Sequence, residues 1–235
     1  YKPKKIIIPL NISDHVPNIK EVDIKRMDVI LLGRSLRKAH ELKKIAIDIN
    51  QYGGKLFSID IKDCPQLFDE NKSIIDTLNW KFLRSNDLDI EYILKNFPDL
   101  RNGIDILFID SYHDETHVKK ILEKWFKHVK RDGYIYFDDT ESAVYRKNKN
   151  LFLSINNDAI DNLVYNVYSN NIEQIEYIKY FRRSGLSEFK KLSDLGSELN
   201  LINQIWNYNY LFSKIYLTLK RIIYKLKSKD KIKYN

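Results

Sequence analysis

Cysteine and glycine are what this chain has least of. Cys64 is the only cysteine, which excludes an intramolecular disulfide framework and a cysteine-built zinc cluster and fits a reducing compartment. Seven glycines in 235 residues leave no glycine-rich phosphate loop. No apolar run approaches the roughly 20 residues of a membrane-spanning helix. The opening YKPKKIIIPL has too short an apolar core for a secretory signal, so a cytoplasmic location is expected. The chain starts at Tyr1 without an initiator Met, and a few residues are expected to precede it. A pervasive basic surface is also missing. From Lys214 onward eight basic residues stand against one acid, Asp230, so nearly all of the net charge of +8 lies there. A nearly neutral body with no basic-aromatic track argues against nucleic acid as the partner.

What is present is an alternation of short apolar runs and helical patterns. A hydrophobic fraction of 43% against 31% charged residues suffices for one full core. MDVILL (27–32), KLFSID (55–60), WKFLRS (80–85), IDILFID (104–110) and YIYFDD (134–139) read as strands. Helical patterns separate them at 34–50, 66–79, 89–97 and about Glu115 to Val129, with Asp132-Gly133 as a turn. AIDNLVYNVYSN reads as a further helix, and IEYIKYFRRSGLSEFKKLS as two strands around Ser184-Gly185. The pattern predicts a Rossmann-like α/β fold: a doubly wound, mostly parallel sheet ending in an antiparallel hairpin. Three segments are expected, an irregular lead-in (1–26), the Rossmann-like domain (27–195) and a basic amphipathic helical extension (196–235).

Acids mark the ends of two consecutive predicted strands: Asp110 after the fourth, Asp138 and Asp139 after the fifth. Consecutive strands commonly lie side by side, and ligands in open α/β sheets bind beside the carboxyl ends. Three carboxylates in one cleft repel one another unless a cation joins them, which points to a hard divalent metal such as Mg²⁺. His113, three residues past Asp110, has the ordinary pKa of a general base near neutrality. The simpler roles are a helix cap for Asp110, a turn cap near Thr140 for Asp138 or Asp139, and a solvated loop for His113.

The run IDILFIDSYHDETHVKKILEKWFKHVKRDGYIYFDD resembles the second half of the core of class I S-adenosylmethionine-dependent methyltransferases. It is most similar to the metal-dependent O-methyltransferases, including the macrolide and rhamnosyl sugar types and the cephalosporin-hydroxylase-like group. Asp110, His113, Trp125, Gly133 and Asp138-Asp139 carry the resemblance, which extends over residues 27–192. It implies that Asp110, Asp138 and Asp139 hold Mg²⁺ or Mn²⁺ while His113 deprotonates an acceptor hydroxyl. In the cofactor half, VILLGRS offers Gly33, Arg34 and Ser35 at the end of the family's first loop. Leu31 stands where a first glycine is usual, and Val29 where an acid is usual. Asp60, 27 residues beyond Gly33, is placed to bind ribose hydroxyls. Asn86 and Asp87 approach the adenine ring on this reading, and Asp110 also borders the cofactor.

The expected function is therefore metal-assisted O-methylation of a sugar or other small polar metabolite, in surface-polysaccharide or natural-product biosynthesis. The competing readings are a catalytically inactive binding module with a cofactor fold and a metal-dependent glycosyltransferase. Residues 197–226 carry apolar side chains at helical spacing. They are read as a helix docked on the domain or on a second copy, making a homo-oligomer, or as a basic amphipathic helix touching anionic lipid at the inner face of the membrane.

Overall fold

The computed structural model of the chain describes residues 28–33, 53–61, 79–181, 183–201 and 208–229. Its sheet has seven strands, β1 (Asp28–Gly33), β2 (Lys55–Asp60), β3 (Trp80–Arg84), β4 (Ile104–Asp110), β5 (Val129–Asp138), β6 (Ile175–Tyr180) and β7 (Leu186–Lys191). Their order is β3-β2-β1-β4-β5-β7-β6. The first five run parallel, and β7 is antiparallel to both β5 and β6. The doubly wound sheet with its closing hairpin is thus the expected one.

Helices cover the strands where the apolar spacing demands it. Helix α1 (Ile90–Asn96) buries Ile90, Ile93 and Leu94. Helix α2 (Glu115–Trp125) buries Val118, Ile121, Leu122 and Trp125, an i, i+3, i+4, i+7 stripe. Asp114 caps α2 by accepting a hydrogen bond from the His117 N–H at 3.0 Å, which fixes the turn containing His113. Two further helices, α3 (Ala143–Lys147) and α4 (Leu151–Ser169), follow β5. Helix α5 (Tyr208–Lys229) ends the described chain and packs on α4. The main core cluster lies along one face of the sheet, where the register partners Ile30, Phe57, Leu107, Ile135 and Phe189 meet Trp125 of α2 and Val164 of α4.

Several boundaries differ from the sequence reading. The helix expected to reach Val129 stops at Trp125, a 3₁₀ turn covers Phe126–His128, and Val129 already belongs to β5. Asp132-Gly133 does not end an element. The β4–β5 register moves from Ile104↔Val129 to Ile106↔Tyr134, so this stretch is an irregularity inside β5, with Asp132 at φ 62°. Gly133 suits it because a Cβ there would lie 3.0 Å from the Asp105 and Lys130 carbonyl oxygens. Strand β5 ends at Asp138, leaving Asp139 outside it. Strand β1 runs through Gly33 rather than turning there. The lead-in and the helices expected over 34–50 and 66–79 lie outside the described residues, except for Asn79, which is in a turn.

Candidate active site

The sheet order reverses between β1 and β4, the place where open α/β sheets leave a crevice for ligands. Gly33 and Asp110 are register partners across that gap. Asp60 ends β2 on one side of it, and Asp138 ends β5 on the other. Two groups of sequence-predicted residues therefore flank one crevice, a cofactor group along β1 and β2 and an acidic group along β4 and β5.

The acidic group converges. His113 Nε2 lies 3.2 Å from Asp110 Oδ1 and 3.8 Å from Asp139 Oδ2. Asp139 adopts φ 56°, a left-handed conformation that an L-residue holds only when its surroundings impose it. Those surroundings include the next two residues. Thr140 Oγ1 accepts from Ser187 Oγ at 3.0 Å, and the Glu141 N–H donates to the Ser184 carbonyl at 2.6 Å. The β6–β7 hairpin thus clamps the end of β5. Tyr145, from α3, donates its hydroxyl to Asp139 Oδ1 at 3.4 Å. Burial and then the Asp139 charge push the Tyr145 phenol up to about 12, so it remains a donor.

The electrostatics of this cluster are unbalanced. Asp138 is pushed up to about 7, first by burial and then by the charges of Asp110 and Asp139, with His113 opposing. For His113, burial alone lowers proton affinity. The hydrogen bond with Asp110 and the charges of Asp139, Asp110 and Asp138 outweigh it and hold the imidazole above its ordinary value. A small recess beside these groups is lined by Ser111, Tyr112, His113, Phe137 and Asp138. The Ser111 hydroxyl is buried there without a hydrogen-bond partner among the described residues.

Among the described residues no group of three or more His, Cys, Asp or Glu side chains already stands as a metal cage. The donor chemistry nevertheless fits a hard cation. All three acids are oxygen donors, burial and then the charges of Asp110 and Asp139 raise Asp138, and His113 Nε2 lies beside Asp110 and Asp139.

The cofactor group is placed more loosely. Asp60 is buried, and its carbonyl accepts from the Ser85 N–H at 2.9 Å, tying the ends of β2 and β3. Asn86 Oδ1 accepts from the Leu88 N–H at 2.9 Å, an Asx turn. The Asp87 carboxylate lies 3.0 Å from His117 Nε2, and the Asp87 carbonyl accepts from the Trp125 indole at 2.8 Å. Asp87 therefore joins the loop after β3 to α2. Leu31 pairs with Ser58 and Phe108 within the sheet, so the position of the usual first glycine is strand here. Arg34 and Ser35 lie outside the described residues.

Sequence reasoning did not find Ser111, His117 or Tyr145. Tyr145 sits on a five-residue helix too short to show periodicity. His117 shows only in tertiary structure, through its pairing with Asp87.

The fold is shared with solved methyltransferases. A candidate rRNA methylase from Clostridium thermocellum aligns with 78% of this chain and 93% of its own at 8% identity and a TM-score of 0.51. The S-adenosylhomocysteine-bound methyltransferase PaMTH1 from Podospora anserina aligns with 71% of this chain and 72% of its own at 11% identity and a TM-score of 0.50. The MycE methyltransferase of mycinamycin biosynthesis, solved with Mg, S-adenosylhomocysteine and mycinamycin VI, is 16% identical, with a TM-score of 0.48 over 77% of this chain and 48% of its own. For the first two, at these identities, the likeness is one of fold. Residues 29–140, just under half of the chain, match the family described as a methyltransferase domain. Over those residues the chain is similar to a methyltransferase domain. An uncharacterized protein of Acanthamoeba polyphaga mimivirus, R132, is 37% identical over 71 residues, 30% of this chain. The chain spans about a third of that relative and half of MycE.

Proposed function

We propose that this chain transfers a methyl group from S-adenosylmethionine to a hydroxyl of a small polar acceptor, a sugar before other classes, with the help of Mg²⁺ or Mn²⁺. The observation that carries this reading is the gathering of Asp110, Asp138, Asp139 and His113 at the ends of β4 and β5, with Asp138 pushed up to about 7. Asp110, Asp138 and Asp139 would hold the metal. Gly33, Arg34, Ser35 and Asp60, with Asn86 and Asp87 toward the adenine, would hold the cofactor along β1 to β3, and Asp110 would border both. When bound, the cofactor supplies a methyl group on a positive sulfur, and the metal supplies a Lewis acid that lowers the pKa of the acceptor hydroxyl.

The remaining steps belong to side chains. With Nε2–H donated to Asp110, Nδ1 of His113 is the nitrogen left to take the acceptor proton. Asp110 and Asp139 then hold the imidazolium. A carboxylate orienting a general base in this way favours one tautomer and one ring orientation. Vicinal oxygens suit a metal held by acids, which is why a diol such as a sugar leads the acceptor classes. The same chemistry suits assembly of a surface polysaccharide or natural product. The test is transfer of labelled methyl to a panel of sugar acceptors. Activity is expected to vanish in EDTA, to return with Mg²⁺ or Mn²⁺, and to be lost in Asp139→Ala. Full activity in EDTA overturns the metal-assisted reading.

A further inference from the structure

Helix α5 has two faces of different character. On one, Leu217 is buried against Ala159, with Phe152 and Ile155 alongside. One turn later, Arg221 donates to Asn156 Oδ1 at 3.1 Å and forms an ion pair with Asp114. The other face is apolar and open. Ile215, Leu219, Ile222 and Ile223 are 48%, 56%, 50% and 46% exposed, and Phe212 is 54% exposed. Ile215 and Leu219 stand two residues before and after Leu217. At 3.6 residues per turn, that turns each of them roughly 160° away from the docked side. Ile215 and Leu219 therefore point away from the side on which Leu217 is docked.

The charge of α5 decides what can cover this stripe. The helix holds six basic residues, Lys214, Lys220, Arg221, Lys225, Lys227 and Lys229, and no acid. Lys220 is exposed, with its ammonium 5.8 Å from the Tyr216 ring centre. A second copy packed on the stripe would bring cations against cations. No described helix is long and apolar enough to cross a membrane. A negatively charged lipid surface satisfies both demands. Its acyl boundary takes the isoleucine and leucine side chains, and its headgroups take the ammonium groups.

We propose that the exposed face of α5 docks this chain on the surface of an anionic bilayer. The helix is held to the rest of the molecule through Arg221 and Asp114, and Asp114 caps α2 immediately after His113. The inference is independent of methyl transfer and holds for an inactive protein too.

The experiment is co-sedimentation of the full chain with phosphatidylcholine vesicles, with and without about a third of phosphatidylglycerol. The expected result is binding roughly tenfold stronger to the anionic vesicles, weakened by added salt and abolished in the double variant Leu219→Glu/Ile222→Glu. Both substituted positions are exposed, and circular dichroism checks that the variant folds. The wild-type salt titration tests the proposal even if that variant does not fold. Absence of binding to anionic vesicles overturns the proposal, as does binding insensitive to salt or undiminished in a folded double variant. A dimer in solution that this variant dissociates, with no vesicle binding by the wild type, assigns the face to a second copy instead.

Discussion

At the scale of single residues, His113 and Asp138 divide the work of the cluster. If His113 takes the acceptor proton as proposed, His113→Ala should lower turnover by roughly 10²–10⁴-fold. Affinity for S-adenosylhomocysteine should stay unchanged; a variant that loses that affinity contradicts that role. Asp138 makes the opposite kind of prediction. Its carboxyl is raised from an ordinary 3.8 to about 7, so between those values the folded protein binds more protons than the unfolded chain. Without metal, that contribution to stability is present below about pH 4 and is lost as pH rises through 7. Asp138→Asn should remove this slope and melt a few degrees above wild type at pH 8 in EDTA. Parallel melting curves for the two proteins at pH 5 and pH 8 would contradict it. Asp110, His113, Asp138 and Asp139 were legible because periodicity shows where a strand leaves the sheet. Ser111 and Tyr145 were not, because a buried hydroxyl and a five-residue helix carry no pattern along the chain.

At the scale of elements, β5 and β7 show what a one-dimensional reading loses. Asp132-Gly133 has the composition of a turn, yet the strand continues through it because Gly133 admits the close carbonyls of Asp105 and Lys130. The run FKKLS reads as the end of a strand, and nothing in it shows that Lys191 is fully buried. Its ammonium donates to the carbonyls of Phe126 at 3.0 Å and Val129 at 2.9 Å, and stands 4.5 Å from the Phe126 ring centre. These bonds close the 3₁₀ turn that joins α2 to β5, so Lys191 supports the strand that carries Asp138. Burial lowers the ammonium to about 8. Between that value and the ordinary 10.5 the unfolded chain binds more protons, and this group's contribution makes stability rise with pH. Lys191→Met leaves two buried carbonyls without donors while removing a buried charge. A net loss of about 1–3 kcal/mol in denaturant unfolding is expected. An unchanged midpoint would show that the two carbonyls find other partners.

At the scale of the whole molecule, the reversal of strand order between β1 and β4 organises everything else. It places Gly33 opposite Asp110, separates β2 and β3 from β5 with its acids, and leaves the β6–β7 hairpin to clamp the end of β5. The alternating pattern made the doubly wound sheet legible, since only a covered parallel sheet accepts apolar runs such as ILFI. The first cofactor loop was harder to read, because Leu31 and Val29 occupy positions where the family resemblance expects a glycine and an acid. Those two residues make cofactor binding the central claim to test. The most direct measurement is calorimetric titration with S-adenosylhomocysteine, with and without Mg²⁺, on the wild type and on Asp60→Ala. The account predicts micromolar binding by the wild type and a clear weakening in Asp60→Ala. No binding by the folded wild type in either condition would contradict it and leave a methyltransferase fold that serves as a binding module.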